Sequence, residues 1–153
     1  MIEGLILPDV DHPEAAAFWE GCAQGELRVQ TCASCGRHRM PPRPMCPWCR
    51  SFDVRWEAMS GRALVWSVVI PYPPLLPAYG DQAPYNVVVV ELEDDPSIRF
   101  VGNVVAAAGA QLNSVDPHTV EIGDRVEVVF TQVADDVWLP QWVDARSSAD
   151  ART

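Results

Sequence analysis

Residues 32–49 read CASCGRHRMPPRPMCPWC, and they are the most informative segment of the sequence. It contains two C-x-x-C pairs with ten residues between them, formed by Cys32, Cys35, Cys46 and Cys49. Each pair puts two thiolates on one tight turn, and the short spacer lets the turns face each other, so four sulfurs can meet at about 2.3 Å from one tetrahedral Zn²⁺. Because four thiolates leave no coordination position for a substrate, the pattern predicts a structural zinc rather than a catalytic one.

The composition around this stretch is that of a globular chain. The 153 residues are 48% hydrophobic, which suits one domain or one domain carrying a small metal module. No run approaches the roughly 20 apolar residues of a membrane span, and the N-terminus reaches acids and prolines too early for a signal peptide. Paired cysteines that bind metal suit a reducing compartment, so we expect a cytoplasmic location, and we expect the fifth cysteine, Cys22, to be a buried thiol.

The charge is unevenly distributed. Residues 27–52 contain five arginines and no acid, so they carry +5 while the rest of the chain carries −15. A body this acidic would repel a nucleic-acid backbone, and we therefore expect no nucleic-acid partner. The arginines could bind one compact anion, such as the phosphates of a nucleotide-type cofactor, or an acidic partner surface. Alternatively, they are solvent-exposed residues of the metal module without a binding role.

No catalytic constellation is recognisable. The chain contains no lysine, which excludes Schiff-base chemistry by its own residues. It also lacks a nucleophile elbow, an H-E-x-x-H motif and a glycine-rich phosphate loop. His12, His38 and His118 are separated along the chain, and we expect each on the surface. The sequence alone gives no reaction.

The remaining pattern predicts a mainly β protein. A helix is expected after Asp11, through AAAFWEGCAQ to a stop at Gly25, with a short strand over residues 27–30. Five further strands, separated by turn residues, predict a small five-stranded barrel of the OB-fold type. Their predicted bounds are 63–70, 86–92, 98–105, 125–133 and 137–143.

Residues 71–85, PYPPLLPAYGDQAPY, form a proline-rich connection that cannot be a central strand. Long ordered loops with exposed apolar side chains are often binding surfaces, which makes this loop a candidate partner interface. The alternative is a stiff connection that packs its leucines onto the barrel. The candidate interface residues are Tyr72, Leu75, Leu76 and Tyr79.

The order of these features resembles a known family. The segment FWEGCAQGELRVQTCASCGRHRMPPRPMCPWC, followed by YNVVVVELED, RFVGNVV, IGDRVEVVF and WLPQWV, is similar to the acyl-CoA-associated zinc ribbon and OB-fold family, domain of unknown function 35 (DUF35). The resemblance covers residues 18–143 and implies an N-terminal helical arm, a rubredoxin-like zinc ribbon and an OB-fold barrel. We assign residues 1–26 to the arm, 27–55 to the ribbon, 56–145 to the barrel and 146–153 to a flexible tail.

The resemblance also implies roles for particular residues. Cys32, Cys35, Cys46 and Cys49 match the family's metal ligands, Phe18 and Trp19 match its helical arm, and Gly123-Asp124 matches its barrel turn. Acyl-CoA binding by the ribbon and barrel is implied. For this contact the candidates are Phe18 and Trp19 of the arm together with three arginines chosen on charge alone, Arg37, Arg39 and Arg43.

The function implied by the resemblance is that of a non-catalytic accessory subunit of a thiolase-superfamily enzyme. The favoured partner is a lipid-transfer-protein-like retro-aldolase that shortens steroid side chains as CoA thioesters. Partnership with a thiolase or an acyltransferase acting on smaller acyl-CoAs is the alternative within this class. From other classes, a nucleic-acid-binding OB protein and a rubredoxin-like iron electron carrier stay open.

Overall fold

The computed structural model describes residues 4–146. Most of the predicted tail, residues 147–153, lies outside this range. No helix among the described residues is long and apolar enough to cross a membrane.

The N-terminal arm contains one short helix, α1 (Ala16–Ala23). It begins five residues after Asp11, the predicted cap, because the chain first makes a turn in which the His12 carbonyl accepts the N–H groups of Ala15 and Ala16. The predicted stop is confirmed: Gly25 has φ +77°, a left-handed conformation that favours glycine. The Glu26 N–H then donates to the carbonyl of Gly21, which closes the helix end.

The zinc ribbon is built on a three-stranded antiparallel sheet. Its strands are β1 (Arg28–Cys32), β2 (His38–Arg39) and β3 (Val54–Ala58), in the order β2-β1-β3. The short strand predicted at residues 27–30 is β1, and the sequence did not predict β2 or β3. Buried and exposed side chains do not alternate along strand β3, since every residue in it is exposed or only partly buried. The strand is defined by its pairing with β1.

Five strands form the predicted barrel. They are β4 (Arg62–Val69), β5 (Val87–Leu92), β6 (Arg99–Gly102), β7 (Arg125–Ala134) and β8 (Val137–Asp144), all antiparallel to their neighbours in the order β6-β5-β4-β7-β8. The sheet curls until β8 meets the chain after β6. There the Trp142 N–H donates to the Asn103 carbonyl, and the Val105 N–H donates to the Trp142 carbonyl. This parallel closure completes a mainly β, OB-fold-like barrel, which confirms the predicted fold class.

One hydrophobic core joins the arm, the ribbon and the barrel. Alternate residues of β4 and β5, among them Val65, Val88 and Val90, point inward and are almost fully buried. Phe18 of α1 enters the same core and lies with its ring centroid 6.0 Å from that of Phe100 on β6. Since burying one large apolar side chain contributes about 1.5–3 kcal/mol, α1 is fixed to the barrel rather than free.

The two long connections have little regular structure. The proline-rich loop contains one helical turn, α2 (Pro77–Gly80). The connection between β6 and β7 contains a 3₁₀ turn, Pro117–Thr119, in which the Asp116 carboxylate accepts the His118 N–H at 3.0 Å.

Candidate functional site

The four cysteines lie on two matching turns, each formed by one C-x-x-C pair. In the first, the Gly36 N–H donates to the Cys32 carbonyl, and in the second the Arg50 N–H donates to the Cys46 carbonyl, each at 2.9 Å. Both turns end on a left-handed residue, Gly36 at φ +72° and Arg50 at φ +63°. Equal local geometry therefore brings two thiols from each turn to a common centre.

The thiols fit a zinc ion. All four sulfur atoms lie within 4.8 Å of one another, with Cys32 Sγ 3.5 Å from Cys49 Sγ and Cys35 Sγ 3.7 Å from Cys46 Sγ. A tetrahedron with Zn–S bonds of about 2.3 Å has edges of roughly 3.8 Å, close to these separations. Four thiolates are a donor set that prefers zinc and fills its coordination sphere. The predicted structural zinc site is thus confirmed.

The remaining cysteine plays no part in this site. Cys22 lies in the hydrophobic core on α1 and is fully buried, as predicted. Burial raises the pKa of the Cys22 thiol to about 12. It therefore stays protonated at neutral pH and is neither a metal ligand nor a nucleophile.

The three candidate arginines of the ribbon have different environments. Arg39 is buried; its Nε donates to Gln30 Oε1 and its Nη2 to the Arg43 carbonyl, so it braces the ribbon. Arg37 is exposed, with its guanidinium 5.2 Å from the centre of the Trp48 ring. Arg43 is exposed and directly follows Pro42. Only Arg37 and Arg43 therefore present their charge to solvent, whereas Arg39 is committed to internal hydrogen bonds.

A large apolar cleft lies where the three parts of the molecule meet. It encloses about 870 Å³, within the roughly 300–1,000 Å³ typical of sites for drug-sized ligands. The arm contributes Phe18 and Trp19, and the ribbon contributes Met40 and the two prolines after it. The proline-rich loop contributes Tyr79 and Gln82, and the barrel supplies most of the remaining wall from β6, from the loop at residues 109–112 and from the facing segments of β7 and β8.

The cleft carries almost no charge. Among the described residues that line it, Arg99 is the single charged side chain. Its guanidinium is already engaged, since it lies 3.9 Å from the centre of the Trp66 ring and 2.6 Å from Glu91 Oε1. No histidine, cysteine or carboxylate of the described chain reaches the lining. This surface can therefore bind an apolar group, and the polar side chains that it offers besides Arg99 are the hydroxyls of Tyr79 and Thr131 and several amides.

His38 connects the ribbon to the barrel and is not the plain surface residue that the sequence predicted. Its Nε2 lies 2.9 Å from Glu57 Oε2 on β3, and its Nδ1 lies 2.8 Å from Asp95 Oδ2 in the β5–β6 turn. Burial disfavours the charged imidazole, but the two hydrogen bonds outweigh it and raise the pKa of His38. The same contact from His38 lowers the pKa of Glu57.

The candidate interface residues divide into two groups. Tyr72 and Leu76 are 66% and 56% exposed, whereas Leu75 and Tyr79 are partly buried. Tyr79 also lines the cleft. The structure thus leaves two apolar side chains of the loop available to a partner, and it places the loop beside the cleft.

Sequence reasoning identified the arm residues of the cleft but missed most of its wall. Phe100, Leu112 and Gln141 come from three separate elements, and only the closure of the barrel brings them together. A β-strand pattern shows which side chains face inward, but it does not show where a curled sheet leaves a gap. No local signal could have found these residues.

Comparison with known proteins gives a consistent result. Two family models match, described as the rubredoxin-like zinc ribbon domain of ChsH2 over residues 19–55 and its C-terminal OB-fold domain over residues 56–131. The chain is 34% identical over 125 residues to a DUF35 domain-containing scaffold protein of Methanothermobacter thermautotrophicus, covering 80% of this chain and 86% of that one. It is 32% identical over 122 residues to the 3-oxo-4,17-pregnadiene-20-carboxyl-CoA hydratase alpha subunit of Mycobacterium tuberculosis, covering 80% of this chain.

The chain spans only about a third of the length of that hydratase subunit, 35% of it. Among solved structures, it matches one described as the Ltp2-ChsH2(DUF35) aldolase with a TM-score of 0.77 and 31% identity. That match covers 90% of this chain and 98% of the matched one.

Proposed function

The chain belongs to the DUF35 family of ChsH2-type zinc ribbon and OB-fold proteins, and on this premise we propose that it is a non-catalytic accessory subunit of a thiolase-superfamily enzyme. In this proposal the partner supplies the nucleophile and the bases, and this chain helps to bind an acyl-CoA and to assemble the complex. The observation that carries the proposal is the apolar cleft of about 870 Å³, which has room for an acyl group and has no histidine, cysteine or carboxylate among its described lining residues.

The position of the ribbon supports acyl-CoA as the ligand. The ribbon wall of the cleft ends at Pro42, and the next residue, Arg43, is exposed. A thioester whose acyl group occupies the cleft could therefore extend its anionic phosphates toward Arg43, with Arg37 as a further exposed cation of the ribbon. Charge-assisted contacts between guanidinium and phosphate favour such an arrangement. We assign no phosphate contact to Arg39, because it is buried.

An aldolase is the partner that we favour. The relative with 31% identity is part of an Ltp2-ChsH2(DUF35) aldolase, and this chain covers nearly all of the matched subunit. A steroid acyl-CoA is the favoured substrate, because another relative is named for a pregnadiene carboxyl-CoA. That relative is a hydratase subunit, so a hydratase partner is the second candidate. A thiolase or acyltransferase partner remains the alternative within the thiolase superfamily.

The test is co-purification followed by an activity assay. The zinc-loaded chain should co-purify with a thiolase-superfamily protein identified by mass spectrometry. Cleavage of a β-hydroxyacyl-CoA should then require the partner, while the isolated chain should show no turnover. Robust turnover by the isolated chain, or a hydratase as the co-purified protein, would contradict the proposal.

The exposed loop provides a sharper version of this test. Replacing Leu76, which is 56% exposed, with serine should weaken co-purification about tenfold or more while leaving the free chain folded, because the exposed leucine would then be an apolar anchor of the interface. Ile122→Ser is the matched control, since Ile122 is 69% exposed in a different loop. Equal retention of the partner by both variants would show that Leu76 does not contact the partner and would favour the alternative, in which the loop packs its leucines onto the barrel.

A further inference from the structure

One part of the wall of the apolar cleft is polar. Thr131 on β7 and Gln141 on β8 both line the cleft, although they are only 9% and 7% exposed. Polar side chains this deep in a protein normally have all their hydrogen bonds formed within it. The two side chains are hydrogen-bonded to each other, and this hydrogen bond leaves the amide nitrogen of Gln141 without a partner.

The hydrogen bonds fix the orientation of the Gln141 amide. The Gly109 N–H donates to Thr131 Oγ1 at 2.9 Å, and the Thr131 hydroxyl donates to Gln141 Oε1 at 2.5 Å. The carboxamide oxygen is therefore occupied, and the Nε2 amide group points away from Thr131. No hydrogen bond of this Nε2 is found among residues 4–146, and the atom is not one of the fully buried polar atoms that lack a partner, so it keeps contact with solvent. A side chain that is more than nine-tenths buried thus presents an unpaired donor at the cleft wall.

A second unpaired donor lies close by. The indole Nε1 of Trp142, the next residue of β8, is fully buried and has no acceptor among the described residues. It lies against Gly102, which lines the cleft on the facing strand β6; a Cβ atom at Gly102 would come within 2.9 Å of it. Two donors without acceptors therefore occur at neighbouring positions of one strand, the Gln141 amide at the cleft wall and the Trp142 indole in the core against Gly102. A buried donor such as the Trp142 indole N–H is costly unless something supplies an acceptor.

We propose that this end of the cleft binds a carbonyl oxygen carried by an otherwise apolar ligand, with Gln141 Nε2 as the donor. The site would then select oxygenated apolar groups, such as a steroid with a ring ketone, over saturated hydrocarbon. The acceptor is neutral rather than a carboxylate, because the single charged residue of the lining, Arg99, is already paired with Glu91. This inference rests on the proposed function, since it specifies the class of acyl group that the cleft takes.

The experiment compares two ligands and two variants of the full-length, zinc-loaded chain. Binding of tritiated androstanone, which carries one ring ketone, is measured by equilibrium dialysis, and androstane, the same ring system without the ketone, is measured by competition. The wild-type chain should prefer the ketone about tenfold, the size expected for one hydrogen bond between the chain and the ligand. Gln141→Met should lose most of this preference, because it removes the donor without adding charge.

Gln24→Met is the matched control, because Gln24 is exposed on the arm and does not line the cleft; it should keep the wild-type preference. Equal affinity of the wild-type chain for the two steroids would overturn the inference even if Gln141→Met does not fold. Binding of dodecanoyl-CoA distinguishes failure of this inference from failure of the proposed function. If it binds but the ketone preference is absent, the inference is wrong and the proposed function stands. If dodecanoyl-CoA and both steroids fail to bind, acyl binding by the cleft is wrong as well.

Discussion

The ribbon and the barrel are stabilised in different ways. At the tip of the ribbon the large apolar residues are exposed, with Trp48 at 51% and Phe52 at 70%, and the buried groups are the thiols Cys32 and Cys46. In the barrel, β5 buries Val88, Val90 and Leu92 completely. The tip therefore depends on one metal ion, whereas the barrel depends on burial of apolar surface. The metal site is therefore separate from the proposed ligand site: the zinc-bound ribbon forms one wall of the cleft, and the barrel forms most of the rest.

The largest expected effect comes from removing the metal. Cys46→Ser should abolish zinc binding and unfold the ribbon tip, because a structural zinc of this type contributes about 10 kcal/mol or more to folding. The barrel should stay folded. In an NMR spectrum the indole signal of Trp48 should collapse to its unfolded position, while that of the fully buried Trp142 should persist.

Cys22→Ala is the matched control for this prediction. It removes a thiol from the core but should leave one zinc per chain by elemental analysis, and the protein should be colourless. Loss of the Trp142 signal in Cys46→Ser would show that the barrel also depends on the metal. A red, iron-containing protein would instead favour a rubredoxin-like electron carrier.

A smaller, pH-dependent effect is expected where His38 of the ribbon contacts Asp95 of the barrel. Because the folded-state pKa of His38 is raised, its contribution to stability is fully present below the ordinary imidazole pKa of about 6.5 and is lost as the pH rises through the folded value. The pKa of Glu57 is lowered, so its contribution is lost only in acid. We expect His38→Gln to lower the free energy of unfolding by about 1 kcal/mol between roughly pH 5 and 6.5.

The difference between wild type and His38→Gln should shrink toward pH 9, as followed by urea denaturation at each pH. His118→Gln is the control, since the His118 side chain makes no contact with the ribbon in the described structure. A difference in the free energy of unfolding that stays constant from pH 5 to 9 would contradict a stabilising charge on His38 and would leave this residue with a packing role only.

The smallest expected effect concerns the residue that ends each zinc turn, which is Gly36 in the first and Arg50 in the second. Arg50 adopts φ +63° where the first turn has Gly36, and a non-glycine residue in this conformation is strained by about 1 kcal/mol. Arg50→Gly should therefore tighten zinc binding up to about fivefold in competition with a chelator. Gly36→Ala should weaken it by a similar factor. Equal affinities for all three proteins would show that the turn conformation carries no strain.

Much of this architecture was predictable because its signals are local. The zinc site follows from the spacing of four cysteines, and the barrel strands follow from runs of β-branched residues. The strand predicted at 86–92 forms Val87–Leu92, whereas the strand predicted at 98–105 already ends at Gly102. Strand β3 was missed because VRWEA is partly exposed throughout and pairs only through the ribbon sheet.

The candidate site was less predictable, since its determinants are distant in sequence. Arg39 was selected by charge, although its guanidinium is buried against Gln30. His38 was expected on the surface because its partner Asp95 is 57 residues away. The polar end of the cleft depends on the register of β7 and β8, which sets Thr131 beside Gln141. Such pairings are properties of the closed barrel, not of any one segment.

The separation of metal and ligand is tested most directly by replacing zinc with cobalt. Co²⁺ bound by four thiolates has charge-transfer and ligand-field bands that respond to any change in coordination. The cobalt-loaded chain is titrated with dodecanoyl-CoA while ligand binding is followed by equilibrium dialysis. We expect the ligand to bind without any change in the cobalt spectrum, because the four cysteines already fill the coordination sphere and the proposed ligand site is the cleft. A shift of the cobalt bands that saturates together with ligand binding would contradict this expectation.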